Sequence, residues 1–262
     1  SSVDLSVGAR ELMMNGFVHL VNDRNYDSEI FIPLKYQTMI EISAYSGFDL
    51  AIGICHIFGF GNFVKDAEKG YNIITKYYEN NKYDSLSQNI LGFLHYIKIE
   101  PFKGYGWKYC KKKAFDYFSK SAEQGDAYGE CWLGKCYNYS YGVKRDSKKA
   151  FDLFMKSAKQ GSAIGQYYLG EAFFRNEEYL LAVSEYEKLT RRMGFSPFVE
   201  DARFKICEAY RIESPKYYHD QQYTEKALNR YQEFLDDYPD SKFNDEVLLS
   251  ITMLREKLGK KL

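Results

Sequence analysis

Between residues 3 and 21 the apolar side chains Leu5, Leu12, Met13, Phe17 and Leu20 recur at the spacing of one helix face, which predicts a leading helix. Residues 22–33 read as a loop and 34–44 as a second helix. Further along, the pattern itself repeats. KAFDYFSKSAEQGDAYGECWLGKCY, opening at Lys113-Ala114, returns as KAFDLFMKSAKQGSAIGQYYLGEAF at Lys149-Ala150, 36 residues later. Gly161 follows Gly125, Ala163 follows Ala127, and Leu169-Gly170 follows Leu133-Gly134 at the same interval. A period of this size predicts a solenoid, each unit a helical hairpin that buries its apolar face against its neighbours.

Position within the unit assigns physical roles. Gly134 and the small Ala127 let one helix approach the next. Gly142 supplies a turn conformation closed to residues with a Cβ. Asp146 stands where an N-cap would accept the free amides of a helix beginning near Ser147. Gly125 and Gly161, each just after a Lys- and Ala-rich helix end, read as the glycines that stop it. Weaker copies begin at Ile52-Gly53 and Leu91-Gly92, the second carrying about six extra residues around 101–107 before the next Lys-Ala pair. After residue 175 the unit changes character. Residues 178–189 look like the second helix of a hairpin. Pro197 is expected to open the next helix, with Ala202, Ile206, Ala209 and Tyr210 inward. Helices at 224–237 and 244–259 flank a turn at 238–241; Pro239 ends the first, and Ser241 and Asn244 are cap candidates for the second.

Composition narrows the function. Hydrophobic residues at 45% and charged residues at 27% suit an ordinary soluble fold. With 36 basic against 36 acidic residues and only KYCKKK (108–113) as a basic run, nucleic acid is not an expected partner. The longest uncharged stretch, 50–64, is too short and too glycine-rich to span a bilayer, and no signal-peptide pattern opens the sequence. The 25 tyrosines suit helix seams. Five scattered cysteines without a CxxC spacing read as buried free thiols, and His19, His56, His95 and His219 fall in separate units, so no metal site is expected. Gly59 to Phe63 reads as a structural turn, and Asp236-Asp237 as a solvated helix end. No GxSxG or other catalytic set is present. The reading is a non-enzymatic protein without a cofactor.

The segments KAFDYFSKSAEQGDA and LGKCYNYSYGVKRDSKKA resemble the Sel1-like repeat family, a variant of the tetratricopeptide hairpin, over about residues 44–175. Residues 176–262 resemble the BamD family of outer-membrane assembly lipoproteins. The likeness rests on Ser214-Pro215-Lys216-Tyr217, Asp220-Gln221 before Thr224, Lys226-Ala227, the run Phe234 to Ser241 and Leu254-Arg255-Glu256-Lys257-Leu258. Together they imply an all-α, right-handed α-solenoid with capping helices at 1–43, Sel1-like repeats at 44–175 and tetratricopeptide repeats at 176–262. The second resemblance implies a subunit at the periplasmic face of the outer membrane, with the barrel-bearing subunit of the β-barrel assembly machinery and its substrates as partners. It implies a membrane contact only through a lipid anchor that this sequence does not contain. The alternatives are a Sel1-like adaptor in signalling, envelope or host interaction, or an accessory domain of a larger enzyme. The loop 214–223 is the expected contact surface, because Lys216, Tyr217, Tyr218, His219, Asp220 and Tyr223 crowd a connection longer than a tight turn requires.

Overall fold

The computed structural model describes residues 34–98, 106–194, 196–215 and 220–259; the expected leading helix, most of the 101–107 insertion, His19 and Lys216 to His219 lie outside them. All regular structure among the described residues is helical. The helices are α1 (Leu34–Tyr45), α2 (Asp49–Phe58), α3 (Ala67–Asn80), α4 (Ser85–Tyr96), α5 (Trp107–Glu123), α6 (Ala127–Asn138), α7 (Ser147–Lys159), α8 (Ala163–Arg175), α9 (Tyr179–Arg192), α10 (Val199–Glu213), α11 (Gln222–Asp237) and α12 (Asn244–Gly259). None is long and apolar enough to cross a membrane. The chain divides into two compact units, Ser1–Gln160 and Gly161–Leu262.

In the first unit α2 pairs with α3, α4 with α5 and α6 with α7, while α1 packs on α2 and α5 on α6. In the second, α8 pairs with α9, α9 with α10, α10 with α11 and α11 with α12. The Leu-Gly step explains how each hairpin closes. A Cβ on Gly134 would stand 2.7 Å from Phe154 Cε1, one on Gly92 equally close to Phe118, and one on Gly170 2.6 Å from Tyr186 Cε1. An aromatic ring of the second helix thus packs against the bare backbone of the first. Phe118 and Tyr186 are wholly buried there, each contributing roughly 2–3 kcal/mol by removal of its ring from water.

Helix starts follow the acidic caps. Asp66, Asp84, Asp126 and Asp146 each accept from the amide three residues on, at 2.8–2.9 Å, and Ser162 does so at 3.3 Å. Helix ends follow glycine. Gly125 takes φ +75°, and the Gly125 N–H to Ala122 O (2.9 Å) and Asp126 N–H to Ser121 O (3.3 Å) bonds close the end of α5. Gly161 takes φ +80° after α7. Two expectations need correction. Pro197 precedes α10, whose first residue is Val199: Phe198 is its N-cap, with the ring buried against Tyr167 at 4.9 Å. Asn244 does not cap α12; its Nδ2 donates backward to Tyr238 O and Pro239 O, tying the turn down.

Asp126 does more than cap. Its Oδ1 also accepts from Asn89 Nδ2 at 2.8 Å and its Oδ2 from Ser85 Oγ at 3.0 Å, so one carboxylate links α4 to the start of α6. Among the described residues Asp146 caps α7 and its side chain otherwise meets Lys149 alone, across an exposed 3.7 Å pair. Asp126→Ala is therefore expected to cost about 2–3 kcal/mol against about 1 kcal/mol for Asp146→Ala, read from urea unfolding. Equal losses would remove the inter-repeat role.

Candidate functional site

Each unit carries a groove between consecutive second helices, floored by the first helix between them. In the first unit α5 and α7 are the walls and α6 the floor, around about 750 Å³. Phe115, Tyr117, Leu133, Tyr137 and Leu153 supply its apolar surface, and Lys113, Lys120 and Lys156 oppose Asp116, Glu123 and Glu130. Phe115 meets Tyr137 edge-on at 5.7 Å, and Lys149 Nζ sits 5.3 Å from the Tyr137 ring. Lys120 donates to Tyr78 Oη at 3.0 Å and lies over Tyr117, while Lys113 lies over Tyr109. Those pairings set the two ammonium groups against tyrosine rings.

Glu130 is the unusual member. It is only 7% exposed, and its Oε2 accepts from Gln160 Nε2 at 2.8 Å. Burial pushes its carboxyl above the ordinary glutamate range, against the Gln160 hydrogen bond and the charge of Lys156.

In the second unit α9 and α11 are walls and α10 the floor, around about 530 Å³. Here the charges are already matched. Arg203 pairs with Asp237, and Arg230 with Glu233 at 2.9 Å and Glu187 at 3.4 Å. Aligning Leu133-Gly134 with Ile206-Cys207 puts Arg203 at the position of Glu130, so the two floors carry opposite charge at one register. Asp237, read as a solvated end, is a partner of Arg203; Asp236 accepts from Gln232 at 3.1 Å.

Of the expected loop surface only its ends are described. Lys257 Nζ donates to Ser214 O at 2.9 Å and to Ser214 Oγ at 2.7 Å, and Ser214 Oγ is 2.5 Å from Thr224 Oγ1. Thr224 donates onward to Gln221 Oε1 at 2.6 Å. The first end of the loop is thus fastened to the closing helix, and the second is tied to the first through Thr224. Asp220 accepts from Gln222 N–H at 3.1 Å, and Tyr223 stacks on Tyr210 with Lys226 over its ring. Outside this network Leu248, Leu249 and Met253 of α12 are exposed.

The repeat-marking residues lie at the seams. Ala150 is buried in α7 and Leu169 in α8, Ala127 and Ala163 open α6 and α8, and Leu133 lines the first groove. His56 Nδ1–H donates to Val64 O at 3.0 Å, which fixes the Gly59 to Phe63 turn. His95 is held among Tyr71, Tyr109 and Tyr117, and burial, with Lys113 nearby, lowers its pKa to about 4. All five cysteines are buried as free thiols, and burial pushes Cys55 and Cys136 up to about 12. No group of three or more metal-ligating side chains occurs among the described residues.

Comparison with known proteins places the first groove inside a recognised repeat. A model described as Sel1 repeat matches residues 111–126 and 127–162, which form most of its walls and all of its floor. The crystal structure of a Sel1 repeat protein from Oxalobacter formigenes is similar with a TM-score of 0.54, at 16% identity over 86% of this chain and 86% of that one. That likeness shows the helical-repeat fold. A second structure, c5321, a protective antigen present in uropathogenic Escherichia coli strains displaying an SLR fold, gives a TM-score of 0.48 at 20% identity, over 95% of this chain and 57% of that one. No curated protein matches the sequence.

Proposed function

We propose that the chain is a non-enzymatic scaffold that holds a segment of another protein in the groove between α5 and α7. The observation that carries this is the lining: apolar and aromatic side chains on three helices around about 750 Å³, rimmed by charges of both signs. That is the surface on which an amphipathic helix or extended peptide docks, apolar residues inward and charges at the rim. The Sel1 repeat match over these same helices supports the reading, since stacked hairpins present extended binding surfaces.

Leu153→Arg places a charge in the groove from the half-buried face of α7 without disturbing a seam. A protein captured by the wild-type chain should bind this variant at least tenfold more weakly, with helical ellipticity retained, while Asp240→Lys in the exposed 238–241 turn leaves affinity unchanged. Undiminished binding to Leu153→Arg refutes the groove.

The narrower role, a periplasmic subunit of the outer-membrane β-barrel assembly machinery, is supported by the residue likeness in 214–258 alone. Co-purification from native membranes decides it: a barrel subunit with periplasmic docking domains favours it, and a signalling or host protein favours a Sel1-like adaptor.

A further inference from the structure

The first groove has two chemically different ends. Glu130 and Tyr137 both lie on α6 and both line it, seven residues and therefore about 10 Å apart along the helix. Around Tyr137 the surface is aromatic, with Phe115 edge-on at 5.7 Å. Around Glu130 it is polar. Oε2 is engaged by Gln160, and among the described residues no donor reaches Oε1 and Glu130 forms no ion pair. A carboxylate nine-tenths buried is costly unless a cation and hydrogen-bond donors reach it. Lys156 lowers that cost through space. The other charges of the groove are Lys113 and Lys120, over tyrosine rings, and Asp116 and Glu123, which add negative charge.

Resting on the groove reading above, we infer that Glu130 is the seat for a basic side chain, arginine or lysine, of the bound protein segment, with an apolar side chain of the same segment against Phe115 and Tyr137. The spacing fixes the motif. The two anchors are about 10 Å apart, which is seven residues in a helix or about three in an extended strand. An arginine would give Glu130 the donors its free oxygen lacks, in the low-dielectric floor where such a bond counts most. The second groove offers no such seat: Arg203 stands at the equivalent position and is already paired with Asp237.

The test uses one random peptide library displayed on phage, selected separately on the full wild-type chain and on Glu130→Gln. Because burial disfavours the ionised carboxylate, the neutral isostere is expected to fold at neutral pH; helical ellipticity checks this. Peptides taken by the wild type should carry a basic residue at one position and an apolar one at the predicted spacing. Resynthesised, they should bind Glu130→Gln at least tenfold more weakly and should also lose binding to Leu153→Arg. Should Glu130→Gln fail to fold, Gln160→Leu, which releases the carboxylate from its positioning amide, is expected to weaken the same peptides several-fold. If both chains select the same peptides without a basic preference, the seat is wrong and the groove stands. If selected peptides ignore Leu153→Arg, or neither chain selects any, both the seat and the groove fail.

Discussion

Gly142→Ala is expected to destabilise the first unit by roughly 3 kcal/mol or more, the sum of two separable costs. Gly142 adopts φ +76°, where a Cβ clashes with its own backbone at about 1–2 kcal/mol. In addition, that Cβ would lie 2.2 Å from Lys111 O and 2.8 Å from Lys111 C, backbone atoms of α5 that cannot rotate away. Moving them costs a further 1–3 kcal/mol of order. Gly125→Ala isolates the first term. Its φ is +75°, but nothing lies within 4 Å of the added carbon, so about 1–2 kcal/mol is expected. Urea unfolding of both variants followed by ellipticity checks the difference. Equal losses would show that the turn between α6 and α7 does not bear on α5.

Glu208→Ala should have a comparable effect in the second unit, about 3 kcal/mol. The side chain is 11% exposed; it accepts two hydrogen bonds from Arg211, at 2.9 and 2.7 Å, and one from the wholly buried Tyr231 hydroxyl. Truncation takes the shared acceptor from the buried hydroxyl, leaving it Ser250 and Arg211, and from the guanidinium, whereas Tyr231→Phe removes one donor and should cost only about 1 kcal/mol. The pH dependence has a definite sign. Burial alone would raise the Glu208 pKa, but the hydrogen bonds from Arg211 and Tyr231 and the Arg211 charge outweigh it, and the net shift is downward. A carboxyl depressed in the folded state adds stability that is complete above its unfolded pKa and is lost as pH falls through the folded one. The wild type should therefore lose this stability below the ordinary glutamate range, and Glu208→Gln should not show that acid-sensitive component. Identical acid slopes would contradict the network.

What the sequence makes legible here is what depends on near neighbours. Asp146 caps an amide three residues on, Gly125 closes a helix through bonds three and five residues long, and the Leu-Gly step marks a crossing because only a missing Cβ admits the ring. Each involves a residue type that stands out in a string. The grooves do not, because they exist only when α5, α6 and α7 come together, and Leu133 or Leu153 looks like any other apolar position. Glu130 and Asp126 do not stand out for a related reason: acidic residues near helix starts usually face water, and nothing local says that Gln160 or Asn89 reaches them. One signal could have been read. Where the second helix carries phenylalanine, as at Phe118 and Phe154, the residue after the Leu-Gly step is Phe93 or Lys135; where it carries tyrosine, as at Tyr186 and Tyr231, the matching residue is Glu171 or Glu208. The hydroxyl and its acceptor arrive together, as the bonds from Tyr186 to Glu171 (2.8 Å) and from Tyr231 to Glu208 show. The loop at 214–223 stands out in the sequence by its aromatic and charged residues; its anchoring by Lys257 from another helix has no signature in the spacing.

Amide hydrogen exchange on the chain with and without its captured protein partner tests the central claim most directly. New protection should appear on peptides spanning 113–123 and 149–159, the two groove walls, and leave 222–258 unchanged. Protection confined to 222–258, with the α5 and α7 peptides exchanging as they do in the free chain, would contradict it.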